Sequence, residues 1–99
     1  MGNSKIKSKS IDRLFEGILT LKNIDECYQF FEDLCSIPEL KTMAQRFEVA
    51  ELLYEDVTYH SISTITKAST ATISRVCRSL EYGGGGYHMV LENLKGKQS

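Results

Sequence analysis

The sequence predicts an all-α fold of about six helices. Apolar residues recur at spacings of three and four along most of the 99 residues, which is the period of an amphipathic helix. No stretch shows the alternation of a half-buried strand, and the single proline leaves long stretches free to be helical. Apolar residues make up 41% and charged residues 25% of the chain, values that are ordinary for a globular domain and argue against disorder.

The first two helices are predicted from their caps and their apolar stripes. Ser10 would cap the first helix, and residues 21–23 look like a break. Asn23 would cap the second helix, with Glu26 three residues on, the spacing of a capping box. The two stripes consist of Ile11, Leu14, Phe15, Ile18 and Leu19 in the first helix and of Ile24, Cys27, Tyr28, Phe31, Leu34 and Cys35 in the second.

A third, longer helix is predicted after Ser36. Ser36 and Glu39 repeat the capping-box spacing, and Pro38 falls in the first turn, where its missing N–H costs nothing. The apolar stripe consists of Leu40, Met43, Ala44, Phe47 and Ala50. We expect this helix to end near residues 55–56.

A pair of short helices follows. Thr58 would cap the fourth helix, and Ser69 would cap the fifth. The turn between them offers no glycine for the left-handed conformation that usually ends a helix. Lys67 or Ala68 must fill that place, at a cost of about 1 kcal/mol.

The boundaries of the domain are predicted from composition. The glycine run at residues 83–86 must end the fifth helix, and a short last helix is expected over residues 87–94. Residues 1–9 read as a flexible basic arm, residues 10–94 as one helical domain, and residues 95–99 as a frayed tail.

Charge is distributed unevenly along the chain. The formal net charge is −1, yet residues 12–56 hold eleven acids against four bases, whereas residues 57–80 hold no acid. The N-terminal arm adds Lys5, Lys7 and Lys9 without an acid. Such a partition creates a polar field, and attraction to DNA depends on the local patch rather than on the sum.

The fourth and fifth helices, over about residues 58–82, match a helix-turn-helix motif. Apolar residues at helical spacing would pack the pair together; they are Ile62, Ile65, Ile73, Val76 and Leu80. The remaining side chains at the start of the fifth helix are small and hydroxyl-rich, so that its backbone can approach the floor of a major groove. The predicted DNA-binding residues are Lys67, Ser69, Thr70, Ala71, Thr72, Ser74, Arg75 and Arg78.

These segments resemble a known family. Residues 71–75, followed by Ser79 and Leu80, resemble the recognition helix of the Trp repressor superfamily. Four further runs, at residues 26–35, 44–50, 58–60 and 68–76, resemble its Trp repressor-like YerC/YecD family. The resemblance covers most of residues 10–94. It implies an intertwined all-helical homodimer that presents two reading heads to double-stranded operator DNA.

The residues that form the corepressor site in that superfamily are only partly matched in this sequence. Arg75 and Ser79 match family positions near the corepressor, but Val76 replaces the family's glycine, and its bulk would fill the indole slot. The second arginine of the site aligns with Gln45, and Arg46 is out of phase by about 100° around the helix. We therefore expect tryptophan not to bind. Two alternatives are left: a pocket of Gln45, Arg46, Arg75 and Ser79 that binds another small effector, or no effector at all.

The sequence predicts a transcriptional regulator, in the role of a repressor, rather than an enzyme. His60 and His88 form no catalytic triad with a nucleophile, and no metal-ligand spacing or cofactor motif is present. The three cysteines form no C-x-x-C pair, which favours a reduced, cytoplasmic protein. Apolar runs of two or three residues predict no membrane span. The alternative is a helical protein-interaction module that does not bind DNA.

Overall fold

A computed structural model describes residues 7–98, which form six helices and no strand. The helices are α1 (Lys9–Ile18), α2 (Ile24–Leu34), α3 (Ile37–Tyr54), α4 (Tyr59–Thr66), α5 (Thr70–Tyr82) and α6 (Gly86–Gln98). The predicted all-α class is confirmed for the described part of the chain. The chain divides between Ile37 and Pro38 into two compact units.

The first unit contains α1 and α2. Ser8, not Ser10, caps α1: its side-chain oxygen accepts a hydrogen bond from the Ile11 N–H at 3.1 Å. The predicted cap at Ser10 is therefore wrong, because the earlier start adds helical hydrogen bonds and pairs Lys7 with Asp12 at 3.0 Å. Residues 1–6 of the predicted arm lie outside the described residues.

The cap of α2 is at Asn23, as predicted. The Asn23 side chain accepts a hydrogen bond from the Glu26 N–H at 2.9 Å. The Glu26 carboxylate accepts in turn from the Lys22 N–H, one residue before the position that a standard capping box uses. Two of the free N–H groups at the start of the helix are thus satisfied locally.

The apolar stripes of α1 and α2 include several exposed side chains. Neither helix has a buried residue. Leu19 is 83% exposed and Ile24 is 73% exposed, and Tyr28 and Ile37 are also exposed. Where such large apolar side chains adjoin one another in water, they typically mark an interaction surface.

The second unit packs around a core formed by the second half of α3, by α4 and the turn after it, and by the first half of α5. The core consists of Val49, Ala50, Ile62, Ala68, Ile73 and Val76. Ile65, which we expected in this core, is 55% exposed. Thr66 takes the place one turn after Ile62 and is buried, with its hydroxyl donating to the Ile62 carbonyl oxygen at 2.8 Å. The prediction for Ile65 is wrong because helical rotation turns it away from this contact.

Helix α6 is longer than predicted. It starts at Gly86 and continues through Gln98, so the tail expected to fray from Lys95 onward is helical up to that residue. Contacts with α3 extend along it: the Tyr54 hydroxyl donates to the Glu92 carboxylate, and the Lys95 ammonium lies 5.0 Å from the centroid of the Tyr54 ring. These contacts stabilise the last turns.

Candidate nucleic-acid interface

The turn between α4 and α5 is built by hydroxyl side chains. Lys67 adopts the left-handed conformation, with φ of 65°, as expected from the lack of a glycine. The Ala68 N–H donates to the Thr66 hydroxyl at 3.1 Å, and the Ser63 hydroxyl lies 3.3 Å from the Ala68 carbonyl oxygen. These bonds hold the turn and offset the strain at Lys67. No local sequence motif predicts these roles of Ser63 and Thr66.

Both helices of the pair begin at the predicted caps. The Thr58 side chain accepts from the Ser61 N–H at 3.2 Å, and the Ser69 side chain accepts from the Thr72 N–H at 3.1 Å. The hydroxyl groups of Ser69 and Thr72 also lie 3.1 Å apart. The side chains that remain exposed and unengaged in the first turn of α5 are those of Thr70 and Ala71.

The basic side chains of this segment carry uncompensated charge. Lys67, Arg75 and Arg78 are exposed. Within residues 7–98 the ion pairs join Lys7 to Asp12 and Arg13 to Glu16, and none reaches those three cations. The acid-free stretch of residues 57–80 thus carries unpaired positive charge in the turn after α4 and in the middle of α5.

The predicted DNA-binding residues divide by exposure. Six are exposed: Lys67, Ser69, Thr70, Ala71, Arg75 and Arg78. Thr72 and Ser74 are half-buried. Ile73 and Val76 are in the core and fix the rotation of α5. The arrangement presents short uncharged side chains at the start of the helix and two arginines farther along it.

Gln45 and Ser79, two of the four predicted effector residues, have different surroundings. The Gln45 side-chain amide donates to the Thr66 carbonyl oxygen at 3.2 Å and so ties α3 to the end of α4. Val76 is 2% exposed and fills core space. Ser79 lines an apolar groove of about 470 Å³, whose other lining residues are Phe47, Gly83, Gly84, Gly86, Tyr87, Met89 and Val90. Neither Gln45, Arg46 nor Arg75 lines that groove.

Residues 7–98 carry neither a metal-binding cluster nor a membrane-spanning helix. No group of three or more histidine, cysteine, aspartate or glutamate side chains is placed to hold a metal ion there. In the same range, every helix is too short or too polar to cross a membrane.

Comparison with known proteins gives concordant matches. The family model of the Trp repressor protein matches residues 9–95. The uncharacterized protein YerC of Bacillus subtilis (strain 168) is 55% identical over 91 residues, which cover 92% of this chain and 88% of YerC. The crystal structure of a TrpR like protein from Eubacterium eligens ATCC 27750 has a TM-score of 0.89 at 54% identity, covering 94% of this chain and 96% of that one. A second crystal structure, from Staphylococcus aureus, has a TM-score of 0.89 at 45% identity, covering 96% and 95%.

Proposed function

Because this chain belongs to the Trp repressor family, in the branch of YerC, we propose that it is a sequence-specific DNA-binding transcriptional regulator that acts as a repressor. The observation that carries the proposal is the α4–α5 pair, which holds unpaired cations, small hydroxyl side chains and, over residues 57–80, no acid. The family resemblance expected from the sequence is confirmed by the comparisons.

In the proposed mechanism, α5 enters the major groove with its N-terminal turn. Thr70 and Ala71 face base edges, where their methyl groups suit the methyl group of thymine. Arg75 lies farther along the helix and donates to a guanine. Lys67 and Arg78 neutralise phosphates, which sets affinity and register rather than sequence preference. Ser69 keeps its capping role, and Ser74 and Thr72 support the reading surface.

We propose that the regulator is a homodimer. The exposed apolar faces of α1 and α2 supply a surface that a second copy would cover, as the family resemblance implies. Two reading heads related by a twofold axis would lie about 34 Å apart, one turn of DNA. An operator with two half-sites in inverted repeat follows from that symmetry.

Sedimentation equilibrium at micromolar concentration tests the dimer. We expect the wild type to have twice the mass of one chain. A double substitution of Ile24→Glu and Tyr28→Glu puts charge on the apolar face and should raise the dimer dissociation constant at least about tenfold, since each buried side chain contributes on the order of 1.5–3 kcal/mol. Gln29→Glu, on the same helix, is the matched control and should stay dimeric. A wild-type monomer would contradict the proposal.

Selection of bound sites from random duplex DNA, followed by gel-shift titration, tests DNA binding. About six phosphate contacts per dimer predict a slope near −5 for the logarithm of the binding constant against the logarithm of salt concentration. A flat salt response, or no enriched sequence, would contradict the proposal. That outcome would favour the alternative, a helical protein-interaction module, for which the uncovered apolar faces of α1 and α2 are the supporting observation.

The role of Arg75 is tested on the selected operator. Arg75→Ala should weaken binding by about 1–3 kcal/mol and relax the preference at one base pair, as expected for loss of a bidentate guanine contact. Arg13→Ala is the control, because Arg13 is an exposed arginine of the first unit, paired with Glu16. An equal loss on every sequence would assign Arg75 to the phosphate backbone instead.

We propose further that tryptophan is not the corepressor and that the protein holds no cofactor. Val76 occupies core space where the resemblance requires a glycine, and the Gln45 amide is engaged by the Thr66 carbonyl oxygen. Calorimetric titration with tryptophan should show no saturable heat.

A further inference from the structure

A second groove lies in the second unit, and neither Arg75 nor Arg78 lines it. Its volume is about 750 Å³, within the range of small-molecule sites. It is bounded by the end of α3, the loop to α4, the second half of α5 and the start of α6. The lining residues are Leu53, Tyr54, Asp56, Val57, Cys77, Leu80, Glu81 and His88.

The groove is electronegative. Asp56 and Glu81 supply two carboxylates, and no lysine or arginine lines the groove. Neither carboxylate takes part in an ion pair within residues 7–98. A hydrogen bond with the Cys77 side chain is the main cause that raises the pKa of the nearby Tyr59 phenol above its usual value, and the Glu81 charge adds a smaller effect in the same direction. Lys95 is beside the Tyr54 ring but lines a different pocket.

The walls of the groove are apolar and fixed in place. Leu53, Val57 and Leu80 pack on the core, and the rings of Tyr54 and His88 meet edge to face with centroids 5.3 Å apart. A ring nitrogen of His88, Nε2, lies 3.0 Å from the Leu80 carbonyl oxygen, which links α6 to α5. Three helices are therefore joined around the groove before any ligand arrives, which lowers the entropy lost on binding.

We propose that this groove binds an organic ammonium ligand, a molecule with one protonated amine and an apolar body. Carboxylates without a protein counterion favour a cation, and they oppose an anion by repulsion. The leucine, valine and tyrosine walls bury the apolar part. Binding itself does not depend on the proposed DNA-binding function, although Cys77, Leu80 and Glu81 belong to α5 and place the ligand against the reading helix.

Titration of the ¹⁵N-labelled full chain without DNA tests the site, because it reports binding residue by residue. With phenethylamine as the probe, we expect saturable amide shifts clustered at residues 53–57, 77–81 and 88. Phenethyl alcohol, which has the same body without the charge, should bind at least about three- to fivefold more weakly, the factor that a partly exposed ion pair contributes.

Two variants distinguish recognition of the ligand's charge from nonspecific binding. Glu81→Gln should weaken phenethylamine binding about three- to fivefold, by the same reasoning, whereas Glu48→Gln, which removes an exposed carboxylate outside the groove, should leave it unchanged. The proposal would be overturned if the amine and the alcohol bound with equal affinity, or if both variants lost the same amount of affinity. It would also be overturned if the amide shifts were confined to other parts of the chain. Because no DNA is present, failure here is distinct from failure of the proposed function.

Discussion

Replacing Ile62 with alanine is expected to lower the free energy of unfolding by about 2–5 kcal/mol, the range for truncating a buried aliphatic side chain. Ile62 is completely buried where α4 meets α3 and α5. Its removal takes away apolar contacts and leaves a cavity that helices already joined by short turns cannot close. Since a domain of this size is stable by about 5–15 kcal/mol, this single change could remove a large part of the total. Urea titration followed by circular dichroism, at one protein concentration, measures the loss.

Ile65 supplies the matched control for this prediction. It is the same residue type in the same helix, three positions later, and it is more than half exposed. Ile65→Ala should change the free energy of unfolding by no more than about 0.5 kcal/mol, as is usual for surface positions. If the two variants lose equal stability, the core of the second unit is not where the structure places it.

Helix starts were predictable where the capping bond is local. Asn23, Thr58 and Ser69 each accept a hydrogen bond from an N–H three residues later, so that the sequence holds both partners. Ser8 and Ser10 show the limit of this reasoning. Both serines could cap a helix, and the choice between them depends on the bonds and the Lys7–Asp12 pair that only the folded geometry reveals.

Interactions between distant segments were not predictable from the sequence. Gln45 was aligned with an effector site, but its amide reaches the Thr66 carbonyl oxygen, 21 residues away. The continuation of α6 past Leu94 depends on contacts that Tyr54 of α3 makes with Glu92 and Lys95. The uneven distribution of charge in the candidate interface could be predicted because it is a property of the sequence itself. The 750 Å³ groove could not, because its walls come from three helices that only the fold brings together.

Replacing Gly83 with alanine is expected to destabilise the end of α5 by about 1–3 kcal/mol, the usual range for forcing extra atoms into occupied space. Gly83 follows the last residue of α5, and its N–H donates to the Ser79 carbonyl oxygen at 2.9 Å. A Cβ atom at this position would lie 2.4 Å from that same oxygen. Because the obstacle is a backbone atom, the clash can be relieved only if the last turn of α5 moves. That turn contains Leu80, whose carbonyl oxygen contacts His88 of α6, so the contact between the two helices would be disturbed as well.

Gly84→Ala is the control that separates steric conflict from loss of glycine flexibility. A Cβ atom at Gly84 would meet nothing within 4 Å, and its φ is not in the left-handed region, which Gly85 occupies with φ of 86°. Gly84→Ala should therefore leave stability unchanged or raise it by about 0.4–1 kcal/mol, by restricting the unfolded chain. Thermal unfolding of both variants measures the difference. Equal losses in the two would mean that the glycine run is needed for its freedom of movement, and that the clash with Ser79 does not determine where α5 ends.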